Sequence, residues 1–235
     1  MKKDIFQREK ILIGEDNFKK INKAKIIIYG IGGVGSFVTE GLVRAGVQNI
    51  TLVDNDVVDI SNINRQIEAT TKTVGKPKID VMRERLLEIN PDALITVYNP
   101  KELDFSEEEL ITESYDYVVD SCDTVCTKIN LVQRATDLKV PIISCMGAAN
   151  KLDATKFEIT DIFKTKVDPL AKVMRKELKK RNINKLKVIY STAKVVEHEE
   201  VLNEDGKKIL GSISYVPSVE GLLVAGEIIK DLLNK

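Results

Sequence analysis

The residues of this chain that most directly indicate chemistry are glycines at a fixed spacing. Gly30, Gly32 and Gly35 fit the pattern G-x-G-x-x-G, Gly33 adds a fourth glycine, and Asp54 follows after about 20 residues. In such a loop the first glycine permits a tight turn, the second lets the backbone approach a phosphate, and the third lets a helix pack closely on a strand. Asp54 is placed to accept hydrogen bonds from ribose hydroxyls. The pattern predicts a nucleotide-binding loop.

The sequence also predicts the strands and the helix that position this loop. The apolar, β-branched run Ile26–Tyr29 precedes it, a helical stretch from about Ser36 to Ala45 follows it, and the β-type run Ile50–Val53 ends on Asp54. Strand, loop, helix and strand form a βαβ unit, whose helix N-terminus offers free N–H groups and a partial positive charge to an anion. The alternative is a tight turn between strand and helix that binds nothing.

A second polar run, Ser61–Gln66, lies just past the second strand and carries a fixed cation in Arg65. The guanidinium fork matches paired phosphate oxygens, and carboxyl ends of parallel strands border nucleotide crevices. Lys78 stands at the start of a predicted helix, Ile79–Ile89, where its charge is unfavourable for the helix dipole. A phosphate partner would explain that lysine, whereas an ordinary polar turn is the alternative for Ser61–Gln66.

Two carboxylates, Asp120 and Asp123, follow the predicted strand Tyr115–Val119. In proteins Mg²⁺ is usually held by one or two carboxylates together with substrate phosphates. We therefore predict a magnesium site or a proton-handling site at this strand end, with both aspartates as candidates.

A basic helix is predicted after Asp168-Pro169, because aspartate suits the N-cap and proline the first turn. Its cations recur every three or four residues, opposite an apolar stripe, and the candidates for contact with nucleic-acid phosphates are Lys172, Arg175, Lys176 and Lys179. The alternative is a solvated basic face.

Composition sets limits on the class of protein. The 235 residues include 36 Lys+Arg and 36 Asp+Glu, so net charge indicates no polyanionic partner and any nucleic-acid binding requires a local patch. The three cysteines form no paired C-x-x-C motif, so no structural zinc site is predicted. No secretory signal follows the N-terminus, and the apolar run Val219–Ile229 is too short to span a bilayer. These features predict a cytoplasmic location and no membrane partner.

The remaining pattern predicts an α/β fold of Rossmann-like type, with a mostly parallel, doubly wound sheet, helices on both faces and a C-terminal α+β extension. We predict one domain over residues 1–235, with a core at about 20–150 and an extension at about 151–235. Within the extension, residues 195–201 and 208–216 are predicted to pair as a hairpin around Asp205-Gly206. His198, the single histidine, is then an exposed hairpin residue, and Pro217 opens the last helix.

Five motifs occur together in the order found in ubiquitin-activating-enzyme-like adenylyltransferases, the ThiF type. They are Gly30–Ser36, Asp54–Asp56, Ser61–Gln66, Val74–Lys78 and Asp120–Asp123. The resemblance implies that ATP binds with its phosphates on the glycine loop and its ribose on Asp54.

The same resemblance assigns roles to further residues and names candidate partners. It places Asp56 at the nucleotide, Asn62 and Gln66 at the α-phosphate, Arg65 and Lys78 on the phosphates, and Asp123 on Mg²⁺ with Asp120 as the second candidate. Arg8 resembles an arginine that reaches across a homodimer to the partner's ATP. A monovalent cation is a further candidate cofactor, and a sulfur-transfer helper protein a further candidate partner.

Later motifs narrow the resemblance to the branch that dehydrates threonylcarbamoyladenosine in tRNA. Residues Gly147–Asp153, Thr160–Lys166 and Asp168–Lys172 carry it. The branch implies ATP-dependent adenylation of the nucleoside's carboxylate followed by ring closure.

Three other functions share part of this pattern. An enzyme that adenylates the C-terminus of a ubiquitin-like sulfur carrier would use the same ATP residues. A nicotinamide-dependent reductase would explain the glycines but leave Arg65, Lys78 and Asp123 without a purpose. A non-catalytic nucleotide-binding module would explain the glycine fingerprint alone.

Overall fold

The computed structural model describes residues 4–203, 206 and 208–234. The strands form a single seven-stranded sheet. In chain order they are β1 (Lys25–Tyr29), β2 (Asn49–Val53), β3 (Leu94–Tyr98), β4 (Tyr117–Asp120), β5 (Ile142–Cys145), β6 (Phe157–Asp161) and β7 (Lys187–Ser191). The α-helices of the described residues are α1 (Gln7–Ile13), α2 (Glu15–Lys23), α3 (Gly35–Arg44), α4 (Lys78–Ile89), α5 (Val125–Asp137), α6 (Pro169–Lys180) and α7 (Tyr215–Leu233).

The sheet has the order β3-β2-β1-β4-β5-β7-β6. Only β6 runs antiparallel to its neighbour β7, and the other pairs are parallel. The predicted Rossmann-like, mostly parallel α/β fold is therefore confirmed. Since β1 pairs with β2 on one side and with β4 on the other, the strand order reverses at β1. Ligands of such sheets bind in the crevice beyond the carboxyl ends of the strands at this reversal.

Strand β1 is apolar from Ile26 to Tyr29, after the exposed Lys25, because helices cover both of its faces. Ile26 and Ile28 belong to the core beneath α3, α4 and α7, whereas Ile27 and Tyr29 belong to the core that includes α5. All four side chains are fully buried. A strand buried on both faces shows a continuous hydrophobic run rather than alternation, as the sequence has here.

Residues 151–234 extend the same sheet and bring a helix to the glycine loop. Strands β6 and β7 lengthen one edge, α6 packs beside α5, and α7 packs along α3. Gly221 of α7 makes the last contact close, because a Cβ atom there would lie 2.5 Å from the Val34 carbonyl oxygen. The start of α7 therefore borders the loop between β1 and α3.

The predicted hairpin at residues 195–201 and 208–216 forms only beside its turn. There Leu202 and Lys208 make an isolated antiparallel bridge, and the Ile209 N–H donates to the Val201 carbonyl oxygen at 2.8 Å. The described part of this segment has no strand, and Asp205 of the predicted turn lies outside the described residues. The alternating apolar residues have no core to cover, and Val201 and Leu210 are 53% and 56% exposed. The last helix begins at Tyr215 instead of Pro217, because the first turn of a helix tolerates proline.

The N-terminal residues form α1 and α2, as the amphipathic pattern predicts. Helix α2 buries Phe18 and Ile21, whereas α1 buries none of its residues. Within the described chain, no helix is both long enough and apolar enough to cross a membrane.

Candidate nucleotide-binding site

The glycine loop leaves β1 in a conformation that requires glycine. Gly30 has a φ of +84°, and a Cβ atom there would lie 2.7 Å from the Ser121 carbonyl oxygen. At Gly35 a Cβ atom would meet the Gly30 carbonyl oxygen at 1.8 Å, so the start of α3 can approach its own strand only without a side chain. Ser121 donates its hydroxyl to the Gly30 carbonyl oxygen at 2.7 Å and fixes the turn from the β4 side.

Asp54 orders the glycine loop as well as standing where a ribose acceptor is expected. Its Oδ2 accepts from the Ile31 N–H at 2.6 Å, and its Oδ1 accepts from the Asp56 N–H at 2.8 Å. Burial raises the pKa of Asp54, while the nearby charge of Lys78 and these two hydrogen bonds work to lower it. Each carboxylate oxygen keeps a lone pair for a further donor. The bond to Ile31 is a role that the sequence did not predict.

Lys78 is a buried lysine that forms an ion pair with the exposed Asp56. It is the first residue of α4 and 5% exposed, and its Nζ lies 2.8 Å from Oδ2 of Asp56. The Lys78 N–H also donates to the Asp56 carbonyl oxygen at 3.0 Å. Asp56 thus offsets the unfavourable charge at the helix start and holds the ammonium at the carboxyl end of β2.

The run Ser61–Gln66 is ordered by its own polar side chains. Asp59 and Asn62 form a capping box, in which Asn62 Oδ1 accepts from the Asp59 N–H at 3.1 Å. Arg65 donates from Nη1 to the Ser61 carbonyl oxygen at 2.8 Å. Its Cγ lies 3.4 Å from where a Cβ atom on Gly33 would be, so the side chain runs along the glycine loop.

Gln66 carries a buried polar atom that a ligand would satisfy. The side chain is 6% exposed, and its Oε1 has no hydrogen-bond partner among the described residues. Its Nε2 lies 3.8 Å from where a Cβ atom on Gly32 would be, and that position is otherwise open. An unpaired buried acceptor costs about 1–3 kcal/mol, so such a group beside an open glycine fits a site completed by a bound nucleotide.

Glu68 is a buried acid that the sequence analysis missed. It is 2% exposed, and neither carboxylate oxygen has a hydrogen-bond partner within the described residues. Burial raises the pKa of Glu68 to about 7, against the opposing effect of the Lys78 charge. In the sequence, the one indication of its importance is its position two residues after Gln66, in a segment that the structure shows to be buried.

Asp120 does not support the predicted second magnesium ligand. Its carboxylate is fully buried, and Lys128 Nζ donates to both of its oxygens at 3.0 Å. The hydroxyl of Ser144 also donates to Oδ2, and Lys128 donates to the Cys145 carbonyl oxygen at 2.8 Å. Although burial disfavours the ammonium, the charge of Asp120 raises the pKa of Lys128. We therefore correct the assignment of Asp120 from metal ligand to partner in a buried ion pair.

The burial of Lys128 could have been predicted from the sequence. This lysine falls on the same face of α5 as the buried residues Leu131 and Ala135. A lysine on an apolar helix face indicates a buried counter-charge, and only the fold identifies that counter-charge as Asp120.

Asp123 remains the candidate magnesium ligand. It is exposed, and its Oδ1 accepts from the Thr124 hydroxyl at 3.2 Å. The described residues contain no group of three or more His, Cys, Asp or Glu side chains arranged to hold a metal. In proteins Mg²⁺ is commonly held by one or two carboxylates together with substrate phosphates and water.

Two of the three cysteines, Cys122 and Cys145, have thiols that burial keeps protonated. Burial raises the pKa of the Cys122 and Cys145 thiols well above the ordinary value. The third, Cys126, is exposed on α5. Cys122 and Cys145 therefore act as small packing residues.

The basic helix α6 presents lysines but not Arg175. Asp168 caps it by accepting from the Ala171 N–H at 2.8 Å. Arg175 is half-buried, and its Nη1 donates to the hydroxyl of Thr165 and, at 3.4 Å, to the carbonyl oxygen of the same residue. We therefore correct Arg175 from a phosphate contact to a residue that fixes the preceding turn. The exposed candidates that remain are Lys172, Lys176 and Lys179.

Arg8 lies outside the site within a single chain. It is exposed on α1, and none of the described contacts joins it to the glycine loop. The predicted contact across a dimer therefore stays a prediction.

Comparison with known proteins agrees with this arrangement. The ThiF family pattern matches residues 6–235. The chain is 41% identical over 240 residues to the tRNA threonylcarbamoyladenosine dehydratase of Bacillus subtilis, covering 97% of this chain and 94% of that protein.

Solved structures of an Escherichia coli relative agree as well. Its tRNA N6-threonylcarbamoyladenosine dehydratase in complex with AMP superposes with a TM-score of 0.86 at 31% identity, over 97% of this chain and 93% of that chain. The complex of the same enzyme with ATP gives a TM-score of 0.85 at 32% identity, with the same coverage. The match over the whole described fold shows that this chain belongs to the ThiF family.

Proposed function

We propose that this chain is an ATP-dependent enzyme that dehydrates N6-threonylcarbamoyladenosine in tRNA to a cyclic form. The observation that carries the nucleotide part is the unpartnered Gln66 Oε1 beside the open side of Gly32, at the sheet's reversal point. The substrate part is supported by the Bacillus subtilis and Escherichia coli dehydratases, which the chain matches over nearly its whole length.

The reaction follows from the poor reactivity of a carboxylate. A carboxylate oxygen of the threonylcarbamoyl group attacks the α-phosphorus of ATP, and pyrophosphate leaves with the electron pair of the broken P–O bond. An internal nucleophile of the same group then attacks the activated carbonyl carbon, loses a proton and expels AMP. The nucleoside loses one water in total, while ATP becomes AMP and pyrophosphate.

The chain's own residues supply positioning and positive charge, which is most of what phosphoryl and nucleotidyl transfer requires. The glycine loop and the N-terminus of α3 would face the phosphates, and Asp54 would accept from the ribose. Arg65 and Lys78 would lie against the phosphate oxygens, with Asn62 and Gln66 at the α-phosphate. Asp56 would share the Lys78 ammonium with the nucleotide.

Asp123 would hold Mg²⁺, which neutralises phosphate charge when it is bound. The proposal is supported by the exposure of Asp123 just beyond β4, whose neighbour β1 leads into the glycine loop. We do not propose Asp120 for this role, because both of its carboxylate oxygens accept from Lys128.

A homodimer would bring Arg8 to the partner's nucleotide. Support comes from the apolar surface of the N-terminal region, where Ile5, Ile11 and Leu12 are 66%, 78% and 82% exposed. Large exposed apolar side chains grouped on one short segment mark interaction surfaces. The lysines of α6, Lys172, Lys176 and Lys179, would contact the tRNA backbone.

The test is turnover with Mg²⁺, ATP and tRNA that carries threonylcarbamoyladenosine, followed by mass analysis of the nucleosides. We expect AMP release and a nucleoside lighter by one water. Asp123→Asn should lower the rate, and the same tRNA without the threonylcarbamoyl group should give no product. Absence of turnover, together with ATP–pyrophosphate exchange stimulated by a small protein ending in Gly-Gly, would replace the proposal with activation of a sulfur carrier.

A further inference from the structure

The connection between β7 and α7 has two arms that lie near the glycine loop. The first arm is residues 193–200 and the second arm is residues 208–214. The Ser212 carbonyl oxygen in the second arm accepts from Asn64 Nδ2 at 3.0 Å. Just beyond that arm, the Cβ of Pro217 lies 3.3 Å from where a Cβ atom on Gly33 would be. The second arm therefore forms a wall beside the residues proposed to bind ATP.

Asn150 joins both arms through its backbone and its side chain. The Val196 N–H donates to the Asn150 carbonyl oxygen, and the Asn150 N–H donates to the Gly211 carbonyl oxygen, each at 2.8 Å. Asn150 Oδ1 accepts from the Gly211 N–H at 2.6 Å and lies 3.0 Å from Nε2 of His198. A single side-chain oxygen thus contacts one residue in each arm.

The geometry at Asn150 fixes the direction of these bonds. A backbone N–H can only donate, so the Gly211 contact requires that the amide oxygen, not the nitrogen, faces the arms. His198 Nε2 must then be the donor in its contact. Asn150 also has a φ of +56°, a conformation that asparagine and glycine adopt more readily than other residues.

We propose that Asn150 is a positioning residue whose side chain clamps the two arms together and so holds the second arm against Asn64 and the glycine loop. The inference rests on the proposed function in so far as that loop binds ATP. The clamp adds to the short pairing of Val201 and Leu202 with Ile209 and Lys208 beside the turn, because farther along the arms the hydrogen bonds run to Asn150.

The decisive comparison is between Asn150→Gly and Asn150→Asp. Both residues tolerate the positive φ better than alanine, but only aspartate keeps an oxygen that can accept from Gly211 and His198. Matched circular dichroism would verify that both variants fold. His198→Ala should give an intermediate effect, because it removes the contact of Asn150 with the first arm and leaves the hydrogen bond from Gly211 in place.

Two measurements distinguish the contacts of Asn150 with the arms from their effect on ATP binding. Hydrogen exchange of the Gly211 amide and its neighbours in the second arm should be about 10-fold faster in Asn150→Gly than in Asn150→Asp, because only the glycine variant loses the side-chain oxygen that accepts from Gly211 and His198. ATP affinity, measured by titration without tRNA, should fall several-fold in the glycine variant only. In turnover, the KM for ATP should rise more than kcat falls.

Equal exchange in the two variants would overturn the clamp. Faster exchange with unchanged ATP affinity would overturn the positioning role. Failure of the wild-type protein to bind ATP would overturn the proposed function instead, while the exchange comparison would still report on the clamp. Asn64→Ala adds an independent check, because it should weaken ATP binding without loosening the contacts at Asn150.

Discussion

Replacing Asp120 by asparagine should destabilise the protein, whereas replacing Asp123 by asparagine should leave stability intact and lower magnesium-dependent turnover. Asp120→Asn removes the counter-charge of Lys128, and both side chains are completely buried. Breaking a buried pair by removing one partner typically costs about 3–5 kcal/mol. For a domain of this size, each kcal/mol corresponds to about 2–4 °C, so the melting temperature should fall by about 6–20 °C.

The assay is thermal or urea unfolding of Asp120→Asn, Lys128→Met and the double variant, with Asp123→Asn as the exposed control. Each single variant leaves one buried charge without its partner. The double variant should therefore lose less free energy of unfolding than the two single variants lose together. An Asp120→Asn protein with unchanged stability that has lost magnesium-dependent turnover would refute the reasoning. It would restore Asp120 as a metal ligand.

Three further predictions concern the neighbouring polar groups and α6. Gln66→Met should raise the stability of the free protein by about 1 kcal/mol, because it removes an unpaired buried acceptor, and should weaken ATP binding in a titration. Glu68→Gln should flatten the pH dependence of stability. The pKa of Glu68 is raised in the folded state to about 7, so the wild type loses about 3 kcal/mol of stability as pH rises from about 4.5 to about 7. Urea unfolding at several pH values across that range would detect the difference. Joint replacement of Lys176 and Lys179 by alanine should weaken tRNA binding and reduce the slope of log affinity against log salt by about 2, whereas Lys180→Ala, whose ammonium is paired with Glu177 at 2.6 Å, should change neither as much.

The site was only partly predictable because its residues depend on contacts of different range. Gly30 and Gly35 are dictated by the local path of the chain, so their spacing alone identified them. Lys78 was recognised as unusual from its place at a helix start, but the sequence did not show that Asp56 is its partner. The burial of Glu68 could not be predicted from its position beside Gln66, because it results from the packing of other segments over it.

The sequence by itself determined the β1–α3–β2 unit, the strand types and the capped start of α6, because backbone conformation, period and capping depend on residues a few positions apart. Tertiary structure decided which polar groups are already paired. The ion pair of Asp120, the turn held by Arg175 and the arms joined by Asn150 all follow from segments brought together by folding. These pairings determine which side chains remain available to ATP, metal or tRNA, and buried polar groups must find partners wherever the fold supplies them.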